Sequence, residues 1–163
     1  AKELFDMVVE MGAFTKEDNV YDLYCGLGSI GLYVADKVQS VVGIEEVSAA
    51  IDDARINAEF NKITNCTFYA GDVKDILDPD FIEKHGKADV VITDPPRAGM
   101  HAKVVETLLE LEAPKIVYVS CNPATQARDL LLLEEKYQVL RIKPVDMFPH
   151  TSHVENIALL QLK

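Results

Sequence analysis

Positive charge is what this sequence has least to spare. Sixteen lysines and arginines stand against 27 aspartates and glutamates in 163 residues, a formal net charge of −11. A surface of that sign repels phosphate and gives no nonspecific grip on nucleic acid, so a polynucleotide partner would draw its electrostatic attraction from elsewhere. Cysteine is scarce as well. Cys25, Cys66 and Cys121 are too few and too scattered for a disulfide framework or a zinc site, and no metal centre is expected. An odd count suits a reducing compartment, and a cytoplasmic location is the expectation. No apolar run approaches the roughly 20 residues that a membrane-spanning helix needs. Repeats and low-complexity tracts are missing too. The opening "AKELFDMVVEMG" reads as an amphipathic segment rather than a leader, and the expectation is a domain cut from a longer protein.

What is present is a core-forming chain. Hydrophobic residues make up 48% and charged residues 26%, which fits one globular domain over residues 1–163. Short apolar runs alternate with segments of helical spacing. Strand candidates are "NVYDLYC" (19–25), "SVVGIE" (40–45), "CTFYAGD" (66–72), "KADVVITDPP" (87–96) and "PKIVYVSCNP" (114–123). Helical patterns are "SIGLYVADKV" (29–38), "SAAIDDARINAEFNKI" (48–63) with Ser48 as its N-cap, "KVVETLLEL" and "ATQARDLLLLEEK". Two strand-like runs close the chain, "YQVLRIKPVDMF" and "HVENIALLQL". The short turn "PHTS" between them predicts an antiparallel pair. The polar stretch "DPDFIEKHGK" (78–87) reads as a connection. The alternation predicts an α/β fold with a mostly parallel seven-stranded sheet ending in that antiparallel pair.

In such a sheet, ligands bind beyond the carboxyl ends of the strands. The groups expected on that rim are Asp22 to Gly28, Glu45, Asp72, Asp94 to Arg97, and Ser120 to Pro123. "CGLGSIG" contains a literal G-x-G-x-x-G at Gly26, Gly28 and Gly31, which suits a dinucleotide. Acids argue for a different ligand. Asp22 would sit beside the diphosphate and repel it, but would attract S-adenosylmethionine, which carries an ammonium and a sulfonium and no phosphate. Glu45 can accept from both ribose hydroxyls and Asp72 from an adenine amino group. The candidate cofactor residues are Asp22, Tyr24, Gly26, Gly28, Glu45, Asp72 and Asp94, in a Rossmann-like methyltransferase.

"DPPR" and "SCNP" carry the chemistry. Two prolines hold Asp94 in a fixed pose, and Arg97 stands where amino-methylating enzymes often have an aromatic ring. Methylation at carbon 5 of a pyrimidine has other needs. A thiolate adds at carbon 6, carbon 5 takes the methyl group, and a base then removes the carbon 5 proton. Cys121 is the candidate nucleophile. Asp94, if ionised, can accept from N3–H of uracil, and Glu155 in "PHTSHVE" is the candidate base. A lone cysteine is more commonly an inert small hydrophobe, and Cys25 and Cys66 are read that way.

Together "DLYCGLGSIGLYVA", "DPPRAGM", "YVSCNPATQARDL" and "DMFPHTSHVENIALL" resemble the catalytic domain of the RNA uracil-5 methyltransferases, which make 5-methyluridine in tRNA or ribosomal RNA. The resemblance runs from about Asn19 to the end. It implies a class I methyltransferase fold, S-adenosylmethionine as donor and S-adenosylhomocysteine as product. It also implies Cys121 as the nucleophile of a covalent RNA adduct, Glu155 as base, and Asp94 with Arg97 at the uracil. Members resembling this chain carry an RNA-binding barrel, a central domain and a glutamine-containing cofactor segment upstream, and some hold an iron–sulfur cluster. None of these is in this sequence, so poor RNA methylation by the chain alone is expected. Two other readings remain open: a nucleotide-dependent oxidoreductase using the glycine loop, and an inactive methyltransferase-like assembly module.

Overall fold

The computed structural model describes residues 2–146 and 154–163. Its frame is one seven-stranded sheet in the order β3-β2-β1-β4-β5-β7-β6. Five strands are parallel: β1 (Asn19–Leu23), β2 (Ser40–Glu45), β3 (Cys66–Ala70), β4 (Val90–Thr93) and β5 (Lys115–Ser120). These are the continuous apolar runs of the sequence, and strands covered on both faces need that composition. The closing runs are β6 (Tyr137–Asp146) and β7 (Val154–Leu162). β7 lies antiparallel between β5 and β6. The expected mostly parallel sheet with an antiparallel C-terminal pair is therefore present. The "PHTS" turn lies outside the described residues.

Helices cover both faces. α1 (Lys2–Gly12) and α2 (Ser29–Val34) pack over Val20, Val41, Val90, Ile92 and Val117, and a 3₁₀ turn, Ala35–Lys37, follows α2. α3 (Ser48–Phe60) closes a smaller cluster against Phe68. The other face carries α4 (Val73–Ile76), α5 (Pro79–His85), α6 (Ala102–Leu111) and α7 (Pro123–Leu133), over Tyr21, Leu23, Val91, Ile116 and Tyr118. The strand order reverses between the adjacent strands β1 and β4, from which the chain leads on to β2 on one side and to β5 on the other. The crevice above this reversal is where such folds bind ligands.

Two local expectations are corrected. Residues 78–87 are not merely a connection, because α5 occupies Pro79–His85. Asp78 caps it by accepting from the Phe81 amide at 2.8 Å, Pro79 pre-sets the first turn, and buried Phe81 anchors it. At α3 the cap position is Val47 rather than Ser48. Among the described residues no side chain caps the first turn, and Glu45 Oε2 accepts from the amide of Val47 itself at 2.9 Å.

Candidate active site

The glycine loop begins where β1 ends. Tyr24 takes a left-handed conformation (φ 59°), an uncommon one for a side-chain-bearing residue, and Gly26 and Gly28 follow with φ 55° and 78°. A Cβ on Gly28 would lie 3.0 Å from the Phe68 ring, so both its conformation and its packing require glycine. Gly31 lets α2 settle onto β1: a Cβ there would stand 2.9 Å from Asp22 Oδ2.

Asp22 does not line the crevice. Strand alternation turns it to the same face as Val20, under α2, where it is 1% exposed and its Oδ2 accepts from the Gly31 amide at 3.1 Å. It holds the loop from below. Burial, then the Asp94 charge, pushes its carboxyl up to about 7, with the Gly31 hydrogen bond opposing and Glu45 adding to the rise. Glu45 holds the loop from the side, with Oε1 accepting from the Gly26 amide at 3.0 Å. Each of its oxygens has a second lone pair left for a ligand. Asp72 caps α4 through the Lys74 amide (3.1 Å) and pairs with Lys74 Nζ (2.9 Å); that bond holds its carboxyl below the usual range.

A cavity of about 310 Å³ opens above the strand reversal, lined by Tyr24, Glu45, Glu46, Asp72, Val73, Asp94, Pro95 and Pro96. Four of the expected cofactor residues, Tyr24, Glu45, Asp72 and Asp94, meet in this wall. Four carboxylates in one lining disfavour a diphosphate and suit a cation bearing hydroxyls and an amino group. The lining therefore fits S-adenosylmethionine better than a dinucleotide.

Asp94, Arg97, Cys121 and Glu155 occupy the other half of the rim, and of these only Asp94 touches the cavity lining. The Asp94 amide donates to Leu23 O at 3.2 Å, so the "DPPR" corner that follows β4 is tied to the end of the glycine-loop strand. Burial, then the Glu155 charge, pushes the Asp94 carboxyl up to about 7. Cys121, half-buried, follows the last residue of β5 and precedes Asn122, the cap of α7. Ser120 tightens this turn, donating to Asn122 O (3.0 Å) and accepting from the Asn122 amide (2.9 Å). The β5–β7 ladder ends at Ser120 opposite Asn156. Cys121 follows Ser120 and Glu155 precedes Asn156, so both adjoin the last pair of this ladder. The side chain of Arg97 is exposed. Cys25 and Cys66 are partly covered, and burial pushes the Cys25 thiol far up and the Cys66 thiol up to about 12, away from reactivity.

Comparison with known proteins decides the family. The model of the tRNA (uracil-5-)-methyltransferase family matches residues 1–163. The chain belongs to that family. A relative from Bacteroides thetaiotaomicron, described as an RNA methyltransferase, is 56% identical over the whole chain, and one from Porphyromonas gingivalis is 56% identical over 98% of it. The chain spans 36% and 35% of those two proteins. Among solved structures, the tRNA (uracil-54, C5)-methyltransferase of Pyrococcus abyssi, in complex with S-adenosyl-L-homocysteine, superposes with a TM-score of 0.82 at 36% identity. That match covers 97% of this chain and 37% of the Pyrococcus one. The uracil-5 methyltransferase fold thus accounts for the sheet order, the glycine loop and the acidic crevice together.

Residues outside the sequence-based set complete the site. Glu46 and Val73 join the cavity wall. Gln126 and Asp129 are polar yet buried on the inner face of α7. Gln126 Nε2 donates to Tyr118 O (3.0 Å) and Asn156 O (3.2 Å), tying β5 to β7 just below Cys121 and Glu155. Across β6 the partner of Asn156 is Pro144, which has no N–H to give. The spacing Gln126, Asp129, Leu133 is the available signal, since it places two polar residues on a helix face that carries a core leucine.

Proposed function

We propose that this chain is the catalytic domain of an S-adenosylmethionine-dependent enzyme that methylates carbon 5 of a uridine in tRNA or ribosomal RNA. The observation that supports the reading is that Cys121 and Glu155 each adjoin the last β5–β7 pair, Ser120–Asn156, while the Glu155 charge acts on Asp94. The Pyrococcus relative's action on a tRNA uracil supports the substrate class.

The residues divide the work. Asp94, once ionised, accepts from N3–H of uracil and discriminates against cytosine, which has an acceptor there; Arg97 sits at the uracil as well. The Cys121 thiolate forms the S–C6 bond, and the displaced electron pair moves to the carbon 4 oxygen, leaving carbon 5 nucleophilic. S-adenosylmethionine supplies an electrophilic methyl group. Glu155 then takes the carbon 5 proton, the 5,6 double bond re-forms, and the S–C6 bond breaks to return the thiolate. The acidic crevice holds the donor, with Glu45 and Asp72 as its acceptors and Asp22 and the glycines shaping the loop. Regions beyond this chain supply the electrostatic grip on RNA, because a chain of charge −11 cannot.

Calorimetry with S-adenosylhomocysteine and with NAD tests the cofactor assignment. Binding of S-adenosylhomocysteine with no heat from NAD is expected; binding of NAD alone would replace this reading with the oxidoreductase one.

A further inference from the structure

The segment after the uracil-reading corner is gripped residue by residue from one helix. Arg97 O accepts from Asn122 Nδ2 (3.0 Å) and Thr125 Oγ1 (2.8 Å). Ala98 O accepts from Arg128 Nη2 (2.7 Å), and the Met100 amide donates to Asp129 Oδ2 (2.9 Å). Gly99, between them, has φ 82°, and a Cβ on it would press into the Arg128 guanidinium and stand 2.8 Å from Asp129 Oδ2. The four gripping side chains all come from Asn122 and the first two turns of α7, whose N-terminus adjoins Cys121.

Asp129 is the hub of this grip. It has no exposed surface, and it receives three neighbours at once: the Met100 amide, the Tyr118 hydroxyl (2.6 Å to Oδ2) and the Arg128 guanidinium (3.1 Å to Oδ1). Tyr118 lies in β5, three residues before Cys121. One carboxylate therefore joins the strand that ends at the nucleophile, the helix that starts beside it, and the segment that carries Arg97. An amide cannot replace it, because its NH₂ group would face one of these donors. A buried hub of this kind costs stability if left partly satisfied, so its retention calls for a task.

We propose that Asp129 is a positioning residue for the uracil: it fixes the Asp94–Met100 segment relative to Cys121, so that the groups reading the base and the thiol attacking it share one rigid frame. The proposal rests on the uracil-5 reading above. Its specific consequence is that loosening the frame slows thiol addition at a correctly folded site.

The test uses the full-length protein with RNA carrying 5-fluorouridine at the target site, with S-adenosylmethionine present. Both the end-point amount and the rate constant of the covalent adduct are measured. Asp129→Asn is expected to reach the wild-type end point with a rate constant about 10- to 100-fold lower, while S-adenosylhomocysteine affinity stays within about twofold. Gly99→Ala pushes the same segment off α7 while leaving the carboxylate in place, its added Cβ falling against Arg128 and Asp129. It is expected to give the same signature, with the double variant no slower than the slower single one. A reduced end point at the wild-type rate would assign Asp129 to stability alone and overturn the proposal. Multiplying effects in the double variant would overturn it too. Amide hydrogen exchange gives a second readout independent of the chemistry. Asp129→Asn should speed exchange at Ala98–Met100 by at least about tenfold and leave β4 and β5 protected, and unchanged exchange there would overturn the proposal whatever reaction the site performs. If Asp129→Asn does not fold, Gly99→Ala carries both readouts. Failure of the chemical reading has a different mark: an adduct that survives Cys121→Ala.

Discussion

Cys121 and Glu155 flank the Ser120–Asn156 pair that ends the β5–β7 ladder, Cys121 following Ser120 and Glu155 preceding Asn156. In an antiparallel pair, directly opposed residues lie about 4.5–5.5 Å apart at Cα. Ser120 and Asn156 are such a pair, so the residues that adjoin them leave neighbouring points of the rim. Gln126 pins this part of the ladder from α7, so the relation is set by the sheet rather than by a surface loop. A nucleophile at carbon 6 and a base at carbon 5 act on adjacent atoms of one ring, and residues that adjoin one ladder pair suit that demand.

Removing the base should separate the two halves of the reaction. Glu155→Gln keeps size and polarity and abolishes proton acceptance, so unmodified uridine RNA should accumulate as a methylated covalent adduct while turnover falls about 10²- to 10⁴-fold. A denaturing gel reads the adduct and methyl incorporation reads turnover. Normal turnover would mean that another group removes the proton.

Asp22 should make the protein less stable as pH rises. Its folded value, about 7, exceeds the ordinary carboxylate value of 3.8. The folded state therefore holds a proton that the unfolded state has released. The stability this gives is full below about pH 4 and disappears as pH climbs through 7. Asp22→Asn retains an acceptor for the Gly31 amide and has nothing to ionise. It should be more stable than wild type at pH 8 by on the order of 2 kcal/mol, since a tenfold change in a proton's affinity corresponds to roughly 1.4 kcal/mol. S-adenosylhomocysteine binding should weaken as the loop loses its charged anchor. Thermal melts at pH 5 and 8 check the sign, and a variant less stable than wild type at pH 8 would refute the electrostatic account.

The glycine loop should not tolerate a methyl group at position 28. Gly28→Ala combines a left-handed backbone with a Cβ 3.0 Å from Phe68 and 3.1 Å from the Ala54 Cβ. A loss of about 1–3 kcal/mol in stability is expected, with S-adenosylhomocysteine affinity down by roughly tenfold or more. Chemical denaturation and calorimetry measure the two effects, and unchanged affinity would show that the loop does not shape the cofactor crevice.

Much of this architecture is legible in the sequence because the signals are local. Apolar runs mark the strands, β4 and β5 among them closed by proline, and the helical spacings between them mark the crossovers. The strand-end rule then groups Tyr24, Glu45, Asp72 and Asp94 from residue order alone. What stays hidden is contact across the chain. Position on the strand points Asp22 toward the ligand, but two-residue alternation and the missing Cβ of Gly31 turn it beneath α2. The 78–87 stretch conceals a helix because its polar residues are caps and an exposed face around the single anchor Phe81. Asp129 and Gln126 look like surface residues of α7, and only their partners on Met100, Tyr118 and Asn156 reveal them as interior ties.

The covalent step is the centre of the account, and one measurement addresses it directly. The full-length protein is incubated with S-adenosylmethionine and RNA bearing 5-fluorouridine at the target site, and the complex is digested and sequenced by mass spectrometry. Fluorine at carbon 5 leaves no proton for Glu155 to take, so a methylated adduct should persist, attached through the sulfur of Cys121, and Cys121→Ala should form none. An adduct that persists in Cys121→Ala, or one mapped to Cys25 or Cys66, would contradict the assignment of Cys121 as nucleophile.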